Sequence, residues 1–346
     1  MKFQHNTRVK VPNLNSGCGG RNDDSFTLKL NKRRVIDDAV ALTSLPETTK
    51  NKEKLQKQYK TEKPKTSNNI ISCRKNTLIG TLNVRTARLD YMRQELANTF
   101  NSSGLEILGV QEHRVIHQEP IRMEKFAKGT CLITSSGWRN ERDAAQGGVG
   151  IMVTKRAYEA ITLIKSYSNR ILLVSLDGNP RLTVISVYSP TEAYTMAEKE
   201  EFHNTLRKAI ADVPAHHLLL VVGDMNAKLG KYNNDDPGWY YHTATNSNGQ
   251  LLRETISEGN LEASNHRFQK KRGKLWTHLN DGLNFKSQID YILISKKWRN
   301  SLKNTEAYNF FNSSGSDHRV VISTLKLSLR RNKNTPRRVH PNATNP

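Results

Sequence analysis

Short apolar runs alternate with amphipathic stretches through the middle of the chain, and each apolar run lies beside a polar residue. The runs are rich in valine and isoleucine, which is typical of buried strands. They are TLIGTLNV, LEILGVQE, GGVGIMVT, RILLVSLDG, RLTVISVYSP, LLLVVGDMN, QIDYILIS and VVISTLKL. Between them, residues 87–100 and 197–213 carry apolar side chains at helical spacing. The alternation predicts an α/β unit that is large enough to bury a sizeable core.

Polar residues at the ends of these runs form a candidate site. They are Asn83, Glu112, Tyr188, Asp224, Asn226 and Asp290, with Asp317 and His318 just before the last run. Ligands of sheet proteins gather in the crevice beyond the strand ends, so one sheet could bring these side chains together. Several carboxylates in one cleft need a counter-charge. Their oxygen ligands suit Mg²⁺, with Mn²⁺ as an alternative, rather than zinc.

This combination predicts chemistry on a phosphate ester. A bound metal ion polarises the phosphoryl oxygen and stabilises the leaving oxygen. A histidine paired with an aspartate holds one imidazole tautomer and orients or deprotonates an attacking water. Taken singly, each element has a plainer interpretation: GDMN is a turn, and Tyr188 is a packed ring. GGVG (147–150) is a tight turn rather than a phosphate loop, because no helix with Lys-Ser/Thr follows it.

The charge of the chain indicates a phosphate-rich partner, and an acidic membrane surface is an alternative, although no basic amphipathic helix stands out. The formal net charge is +22, and residues 1–75 hold 17 Lys/Arg against 7 Asp/Glu. Residues 1–75 and 328–346 are polar, basic and poor in aromatic residues, which predicts disordered tails on either side of a domain at 76–327. The tails either have no role, or they add affinity for nucleic acid and carry a nuclear address.

Other features exclude several classes of protein. No apolar run is long enough to span a bilayer, and the first residues have no apolar segment typical of a secretory signal. We therefore expect an intracellular, nuclear protein that acts away from membranes. Cys18, Cys73 and Cys131 lie far apart, without zinc-ligand spacing or a disulfide pattern. No motif indicates a small-molecule cofactor, and nothing indicates the oligomeric state.

The order of these motifs resembles a known superfamily. LNV, QEH, VYSPT, GDMNA, QIDYIL and SDHRVV are similar to successive signatures of the endonuclease/exonuclease/phosphatase superfamily, which includes DNase I and the apurinic endonucleases. The resemblance covers residues 76–327. The strings TLNVRT, GGVGIMV and SQIDYILIS are most similar to the endonuclease domain of non-LTR retrotransposons of the RTE/BovB type and to craniofacial development protein 2-like proteins.

The resemblance implies a DNase I-like four-layer α/β sandwich, in which helices flank two packed β-sheets. It also implies Mg²⁺-dependent hydrolysis of DNA phosphodiester bonds that leaves a 3′-hydroxyl. Glu112 would be the principal metal ligand, with Asn83 and Asp317 supporting the metal site.

The resemblance further implies roles for the catalytic residues. Tyr188 would contact the phosphate or assist the leaving group. Asp224, aided by Asn226, would activate or position the water. Asp290 would orient His318, and His318 would bind the phosphate or serve as the base. The sequence leaves open whether Asp224 or His318 takes the proton.

Two departures bear on the substrate. Arg85 occupies a position where some relatives carry an acid, which removes one metal contact and adds a cation near the cleft. Thr191 replaces the Asn of the abasic-site enzymes, which puts abasic-site specificity in doubt. Trp276 is a third candidate for DNA contact, either stacked on a base or packed as a core or rim aromatic.

Alternative functions remain open at the level of sequence. The retrotransposon proteins continue into a reverse transcriptase, so the chain is expected to be a truncated element or a free-standing nuclease. It could instead be a catalytically idle nucleic-acid or chromatin-binding protein that retains the fold. A superfamily phosphatase or lipid phosphodiesterase is a further alternative.

Overall fold

The structure is a computed structural model. The residues it describes are 58–60, 69–233, 235–236, 238–280, 282–311 and 315–328. The α-helices in these residues are α1 (Asp90–Ser103), α2 (Lys155–Glu159), α3 (Met196–Ala211) and α4 (Ser247–Glu258). Short 3₁₀ helices span Ala127–Gly129, Ser264–His266, Arg272–Lys274 and Lys296–Ser301.

The strands of the same residues follow in chain order. They are β1 (Gln58–Lys60), β2 (Thr77–Asn83), β3 (Leu105–Gln111), β4 (Arg122–Lys125), β5 (Cys131–Thr134), β6 (Trp138–Arg139), β7 (Ala145–Gln146), β8 (Val149–Val153), β9 (Ile161–Ser168), β10 (Ile171–Leu176), β11 (Leu182–Tyr188), β12 (Leu218–Asp224), β13 (Leu261–Ala263), β14 (His278–Asn280), β15 (Phe285–Ser287), β16 (Asp290–Ser295), β17 (Leu302–Tyr308) and β18 (Val320–Leu325).

Two seven-stranded sheets form the centre of the molecule. The first sheet has the order β1-β9-β10-β11-β12-β16-β13, and the second has the order β17-β18-β2-β3-β8-β5-β4. Each contains one parallel pair among antiparallel neighbours, β11 with β12 and β2 with β3. Two small hairpins, β6-β7 and β14-β15, stand apart from the large sheets.

Helices cover the outer faces of both sheets. Between the sheets lies a core of branched aliphatic side chains that includes Ile107 and Leu220. Outside the first sheet, α3 contributes Phe202 to a second apolar cluster, and outside the second sheet α1 contributes Phe100 to a third. Burying each such ring contributes about 2 kcal/mol. The predicted four-layer α/β sandwich is confirmed.

The sheets approach most closely between β3 and β12. A Cβ atom on Gly109 would lie 2.5 Å from Val222 Cγ2, so only glycine fits at this contact. Nearby, Gln111 Nε2 donates to Ser186 Oγ across the interface at 3.1 Å, and Thr81 Oγ1 donates to Gln111 Oε1. This satisfied polar contact fixes the lateral register of the two sheets.

Local sequence signals set the helix ends. Thr195 and Glu198 form a capping box at the start of α3, and the Asn246 side chain accepts from Gly249 N at the start of α4. Gly104 ends α1 in the left-handed conformation, with φ 74°. Within the described residues, every helix is too short or too polar to cross a membrane.

Described residues that precede the predicted domain at 76–327 also join the fold. Residues 58–60 pair with β9, and Ile70 and Ile71 are buried in the core between the sheets. Leu327 is also buried there. The sequence alone predicts a tail before residue 76, because the few apolar side chains there do not repeat at the spacing of a strand or a helix. The rest of the two predicted tails lies outside the described residues.

Candidate active site

Three neighbouring strands of the first sheet end together and bring three polar side chains to one edge. Tyr188 and Asp224 are register partners in the parallel pair β11-β12. Asp224 and Asp290 are register partners in the antiparallel pair β12-β16. Both carboxylates are buried, with 2 % and 0 % of their surface exposed. Hydrogen-bonded register alone therefore fixes the spacing of these three residues.

Gly223 allows β12 to lie against β11 just before Asp224. A Cβ atom on Gly223 would lie 2.0 Å from the carbonyl oxygen of Val187. The glycine in the GDMN motif therefore permits the parallel pairing that aligns Asp224 with Tyr188.

The second sheet supplies Asn83 and Glu112 from its parallel pair. Asn83 is the last residue of β2 and pairs with Gln111, so Glu112 follows directly at the end of β3. Glu112 has φ 54°, in the left-handed region. Its N–H donates to the carbonyl of Gly148 at 3.0 Å. A distant segment of the chain thus holds the backbone of Glu112.

That distant segment is GGVG, whose first two glycines link β7 to β8 and whose last two residues begin β8. Gly147 and Gly148 have φ values of 59° and 83°, a conformation that favours glycine. Cβ atoms on them would collide with the Trp138 and His113 rings, respectively. Because their carbonyls accept from Arg114 N and Glu112 N, the two glycines help to shape the Glu112 loop.

Asn83 joins the two halves of the site. Its Nδ2 donates to Glu112 Oε1 at 2.9 Å and to Asp224 Oδ2 at 3.0 Å. Its Oδ1 accepts from Arg85 N at 2.8 Å, which orients the amide so that nitrogen faces the carboxylates. In this arrangement Asn83 holds Glu112 in position, and its oxygen is turned away from the predicted metal site. Glu112 Oε2 also accepts from Arg114 at 3.0 Å.

His318 and Asp290 form the opposite side of the site. His318 Nδ1 lies 2.9 Å from Asp290 Oδ2, and its Nε2 lies 4.0 Å from Asp224 Oδ2. The Thr277 hydroxyl accepts from Asp290 N at 3.1 Å and so anchors the start of β16. Burial alone would lower the pKa of His318, but the surrounding carboxylates, Asp290 above all, outweigh it and raise that pKa to about 9.

Asp224 is almost fully buried beside Asp290. Burial, reinforced by the charge of Asp290, raises the pKa of Asp224 to about 7. Asn226 has φ 46°, and its N–H donates to Asp224 Oδ1 at 2.9 Å. The Asn226 side chain donates to Ser189 O at 2.8 Å, which ties the loop after β12 to the end of β11.

Tyr188 lies beside the carboxylates in an aromatic setting. Burial, followed by the charges of Glu112 and Asp224, raises the pKa of its hydroxyl. Its ring stacks on Trp138 with centroids 6.4 Å apart. The Arg170 guanidinium lies 4.4 Å from the Trp138 ring centroid and 5.3 Å from that of Tyr188. Tyr188 is therefore a neutral hydrogen-bond donor with a fixed ring.

Asp317 lies at the rim, next to His318. Its Oδ2 is 3.7 Å from His278 Nε2 and 4.0 Å from Arg85, and its Oδ1 is 3.9 Å from His318 Nε2. The nearby His278 ring is the main cause that lowers the pKa of Asp317 to about 2. The structure therefore brings Asp317 to the imidazole side of the site.

The three residues predicted to contact DNA have different settings. Arg85 is exposed at the rim. Thr191 belongs to the loop after β11, where its carbonyl accepts from Tyr194 N. Trp276 is only 9 % exposed, and the Arg319 guanidinium lies 3.2 Å from its ring centroid. This burial does not fit a stacking Trp276 and fits the alternative interpretation, a packed rim aromatic.

Sequence reasoning missed several residues that shape the site. Asn248, fully buried at the start of α4, donates to Pro190 O and Asn226 O and so joins two site loops. Arg170 and His278 were also missed, because isolated residues of these types give no spacing signal. The Asn246 cap marks the start of α4, but nothing in the sequence links that helix to the cleft.

Similarity to known proteins agrees with this geometry. Residues 182–322 match the family model described as Endonuclease-reverse transcriptase. The chain is 27 % identical over 263 residues to craniofacial development protein 2 of Bos taurus, covering 75 % of this chain and 42 % of the relative. It therefore spans less than half the length of this curated relative.

Solved structures show the same fold. An AP endonuclease from Leishmania major superposes with a TM-score of 0.55 at 11 % identity, covering 78 % of this chain and 97 % of the other. A 3′ phosphatase from Neisseria, bound to product DNA hairpin, superposes with a TM-score of 0.53 at 17 % identity, covering 72 % and 99 %.

The fold is similar to that of these two enzymes, and the predicted resemblance to the endonuclease/exonuclease/phosphatase superfamily is confirmed. In sequence, the chain is similar to craniofacial development protein 2 over 263 residues and to the endonuclease-reverse transcriptase family over residues 182–322.

Proposed function

We propose that the chain is a metal-dependent endonuclease that nicks DNA and leaves a 3′-hydroxyl end. The observation that carries this proposal is the Asn83 amide, which joins Glu112 of one sheet to Asp224 of the other. His318 Nε2 lies 4.0 Å from the same carboxylate of Asp224. Acidic oxygens and an imidazole thus converge where a phosphodiester would be held.

The acidic side of the site suits Mg²⁺, with Mn²⁺ as an alternative. Glu112 and Asp224 offer carboxylate oxygens, which hard divalent cations prefer. The Glu112 side chain is 18 % exposed, so its oxygens remain accessible from the cleft. When bound, the ion stabilises charge on the phosphoryl and leaving oxygens. Asn83 and Arg114 orient Glu112 for that task, and Asp317 adds negative charge from the rim.

Proton transfer is divided between the two sides of the site. Asp290 fixes the His318 ring through Nδ1, so Nε2–H of the imidazolium donates to a non-bridging phosphate oxygen. Asp224 is positioned by Asn226 and takes the proton of the attacking water. The raised pKa of His318 favours this assignment over one in which His318 is the base.

Tyr188 completes the set as a neutral donor. The raised pKa of its hydroxyl keeps the proton in place near neutral pH. Trp138 and Arg170 hold the ring, so the hydroxyl stays aimed at the carboxylates and at a phosphate beside them. We assign Tyr188 to contact the phosphate or to assist the leaving group.

DNA is the proposed partner because the chain carries a formal net charge of +22. The Neisseria neighbour was solved with a DNA hairpin, and the matched family is described as endonuclease-reverse transcriptase. We accordingly propose a retrotransposon-derived nuclease with a folded domain around residues 76–327, basic flanking segments and a nuclear location.

Plasmid nicking tests the proposal. Supercoiled DNA is incubated with Mg²⁺ or EDTA and with the wild-type protein, Glu112→Ala or His318→Ala. Loss of either key group should reduce nicking by about 10³-fold. Glu200→Ala on the exposed face of α3 is the matched control and should nick like the wild type. Equal nicking by all four proteins, or nicking that persists in EDTA, would refute the proposal.

Two alternatives have distinct outcomes in the same assay. The Neisseria neighbour is described as a 3′ phosphatase, so an oligonucleotide with a 3′-phosphate is included. Release of orthophosphate without nicking would identify phosphatase activity instead. DNA binding in EDTA with no cleavage under any condition would favour a non-enzymatic binding protein, which the positive charge also permits.

A further inference from the structure

The β14-β15 hairpin places a second imidazole beside His318. His278 and His318 are opposite each other in an isolated antiparallel bridge. Leu279 N donates to Asp317 O, and Arg319 N donates to Thr277 O, so the bridge is a non-hydrogen-bonded pair. Side chains in such pairs lie on the same face at close range. The ring centroids are accordingly 4.6 Å apart.

Each ring has a separate acceptor at Nδ1, which leaves Nε2 available. His318 Nδ1 lies 2.9 Å from the Asp290 carboxylate. His278 Nδ1 lies 3.2 Å from the hydroxyl of Ser287, its register partner on β15. In metal sites, an acceptor on the far ring nitrogen fixes the tautomer and the orientation of the ligating histidine.

Asp317 supplies a third donor between the two rings. Its carboxylate oxygens lie 3.7 Å from His278 Nε2 and 3.9 Å from His318 Nε2. All three donor atoms lie within 4.8 Å of one another. Ligands of a tetrahedral Zn²⁺ are separated by about 3.3 Å, so small side-chain movements would complete the site. His278 and Asp317 are 21 % and 26 % exposed, which gives an ion access.

We propose that His278, Asp317 and His318 form a binding site for Zn²⁺ or a similar transition-metal ion. Two imidazole nitrogens and one carboxylate suit such ions, whereas Mg²⁺ prefers oxygen ligands alone. The site is therefore chemically distinct from the acidic side around Glu112. The ion displaces the Nε2 proton of His318 to solvent, and that proton is the one proposed to bind the phosphate. Bound metal should therefore inhibit nicking, a consequence that rests on the proposed function.

Direct binding is measured with Co²⁺, whose visible absorption reports nitrogen and oxygen coordination, and then by Zn²⁺ competition. The full chain is used without an affinity tag and in the absence of DNA. We expect His278→Leu to bind one ion fewer than the wild type, or to bind it at least about tenfold more weakly. Identical spectra and affinities for the two proteins would overturn the proposal.

Two further variants separate ligation from folding. Ser287→Ala keeps both imidazoles but removes the acceptor on His278, and should weaken Co²⁺ binding by about tenfold. His216→Asn removes an exposed histidine elsewhere and should leave the Co²⁺ spectrum unchanged. Circular dichroism and thermal melting establish that each variant is folded. A folded Ser287→Ala protein with wild-type affinity would contradict the assigned ring orientation.

Nicking in Mg²⁺ with added Zn²⁺ tests the regulatory consequence. The wild type should be inhibited over the Zn²⁺ concentrations that displace Co²⁺, and His278→Leu should require at least about tenfold more Zn²⁺ relative to its own uninhibited rate. Equal sensitivity would refute the inhibition. If the wild type fails to nick, the proposed function fails, but the Co²⁺ spectra still decide whether the metal site exists.

Discussion

The two sheets bring residues to the same site by different means. In the first sheet, Tyr188, Asp224 and Asp290 are held by the register of three adjacent strands. In the second sheet, Glu112 lies just beyond its strand and is held by Gly148 and Asn83. Strand register is fixed by many backbone hydrogen bonds, whereas a loop position depends on a few contacts. The first set should therefore be structurally robust and the second more easily displaced.

The two helical layers also differ in the polar side chains that they bury. Outside the first sheet, α3 buries His203, whose pKa burial lowers to about 4. Outside the second sheet, α1 buries Arg93 as a cation, with Glu124 accepting from Nε at 2.7 Å. One layer thus contains a neutral titratable group, and the other contains an ion pair. The two should respond differently to acid.

The largest expected effect is on a residue fixed by register. Asp290→Asn should reduce nicking by about 10³-fold, because an amide no longer favours the imidazolium or its Nδ1–H orientation. Single-turnover nicking measures the loss, and Asp143→Asn on the exposed β6-β7 hairpin is the control. A fall of less than about tenfold would show that register alone, without the Asp290 charge, positions His318.

Glycine substitutions compare the strand register of the first sheet directly with the loop contacts of the second. Gly223→Ala should lower the free energy of unfolding by about 3 kcal/mol or more, because its methyl group meets the backbone of β11. Gly148→Ala should lower it by about 2 kcal/mol, because the obstructing His113 side chain can shift. Urea denaturation measures both. A larger loss for Gly148→Ala would reverse the comparison between the sheets.

Asn83→Asp tests the link between the two halves. It replaces two donated hydrogen bonds by a third carboxylate and should lower the free energy of unfolding in EDTA by about 2 kcal/mol. Added Mg²⁺ should restore part of the loss, because the ion neutralises the carboxylates. Thermal and urea unfolding with and without Mg²⁺ provide the measurement. Unchanged stability in EDTA would mean that Asn83 does not separate the two charges.

The smallest expected effect concerns the helical layers and pH. The folded pKa of His203 lies below the ordinary value of 6.5, so the unfolded chain takes up the proton first. The contribution of neutral His203 to the free energy of unfolding is complete above pH 6.5 and is lost as the pH falls towards 4. At about pH 5.5 the loss is about 1 kcal/mol.

The variant His203→Asn isolates the contribution of His203 to the pH dependence of stability. His203→Asn retains a polar group beside Thr255 but does not titrate. Its free energy of unfolding should therefore fall less between about pH 7 and about pH 5.5 than that of the wild type. Parallel pH curves for the two proteins would contradict the assignment of a neutral, buried imidazole.

The sequence predicts the first sheet's contribution better than the second's. Runs of β-branched residues reveal β11, β12 and β16, and the polar residues at their ends mark Tyr188, Asp224 and Asp290. The role of Gly148 in holding Glu112 is not predictable, because it depends on a contact across 36 positions that has no local signature. The role of His278 is not predictable for the same reason, because it depends on the pairing of His278 with His318 on another strand.

The predicted boundaries and the DNA contacts show other limits of sequence reasoning. Ile70 and Ile71 look like part of a polar tail, and only the neighbouring sheets give them a core to enter. Trp276 was a candidate for base stacking because of its residue type, whereas Arg319 covers its ring. Local composition reports neither burial by distant strands nor a cation that happens to lie above a ring.

The contact between Gly109 and Val222 has a consequence for the width of the cleft. Gly109 lies two residues before Gln111, and Val222 lies two residues before Asp224. Because Gly109 has no Cβ atom, the two sheets approach closely at this contact. The contact therefore sets the distance between the carboxylates of the first sheet and Glu112 of the second. The spacing of the proposed site is therefore set in the core between the sheets, and not by the site residues themselves.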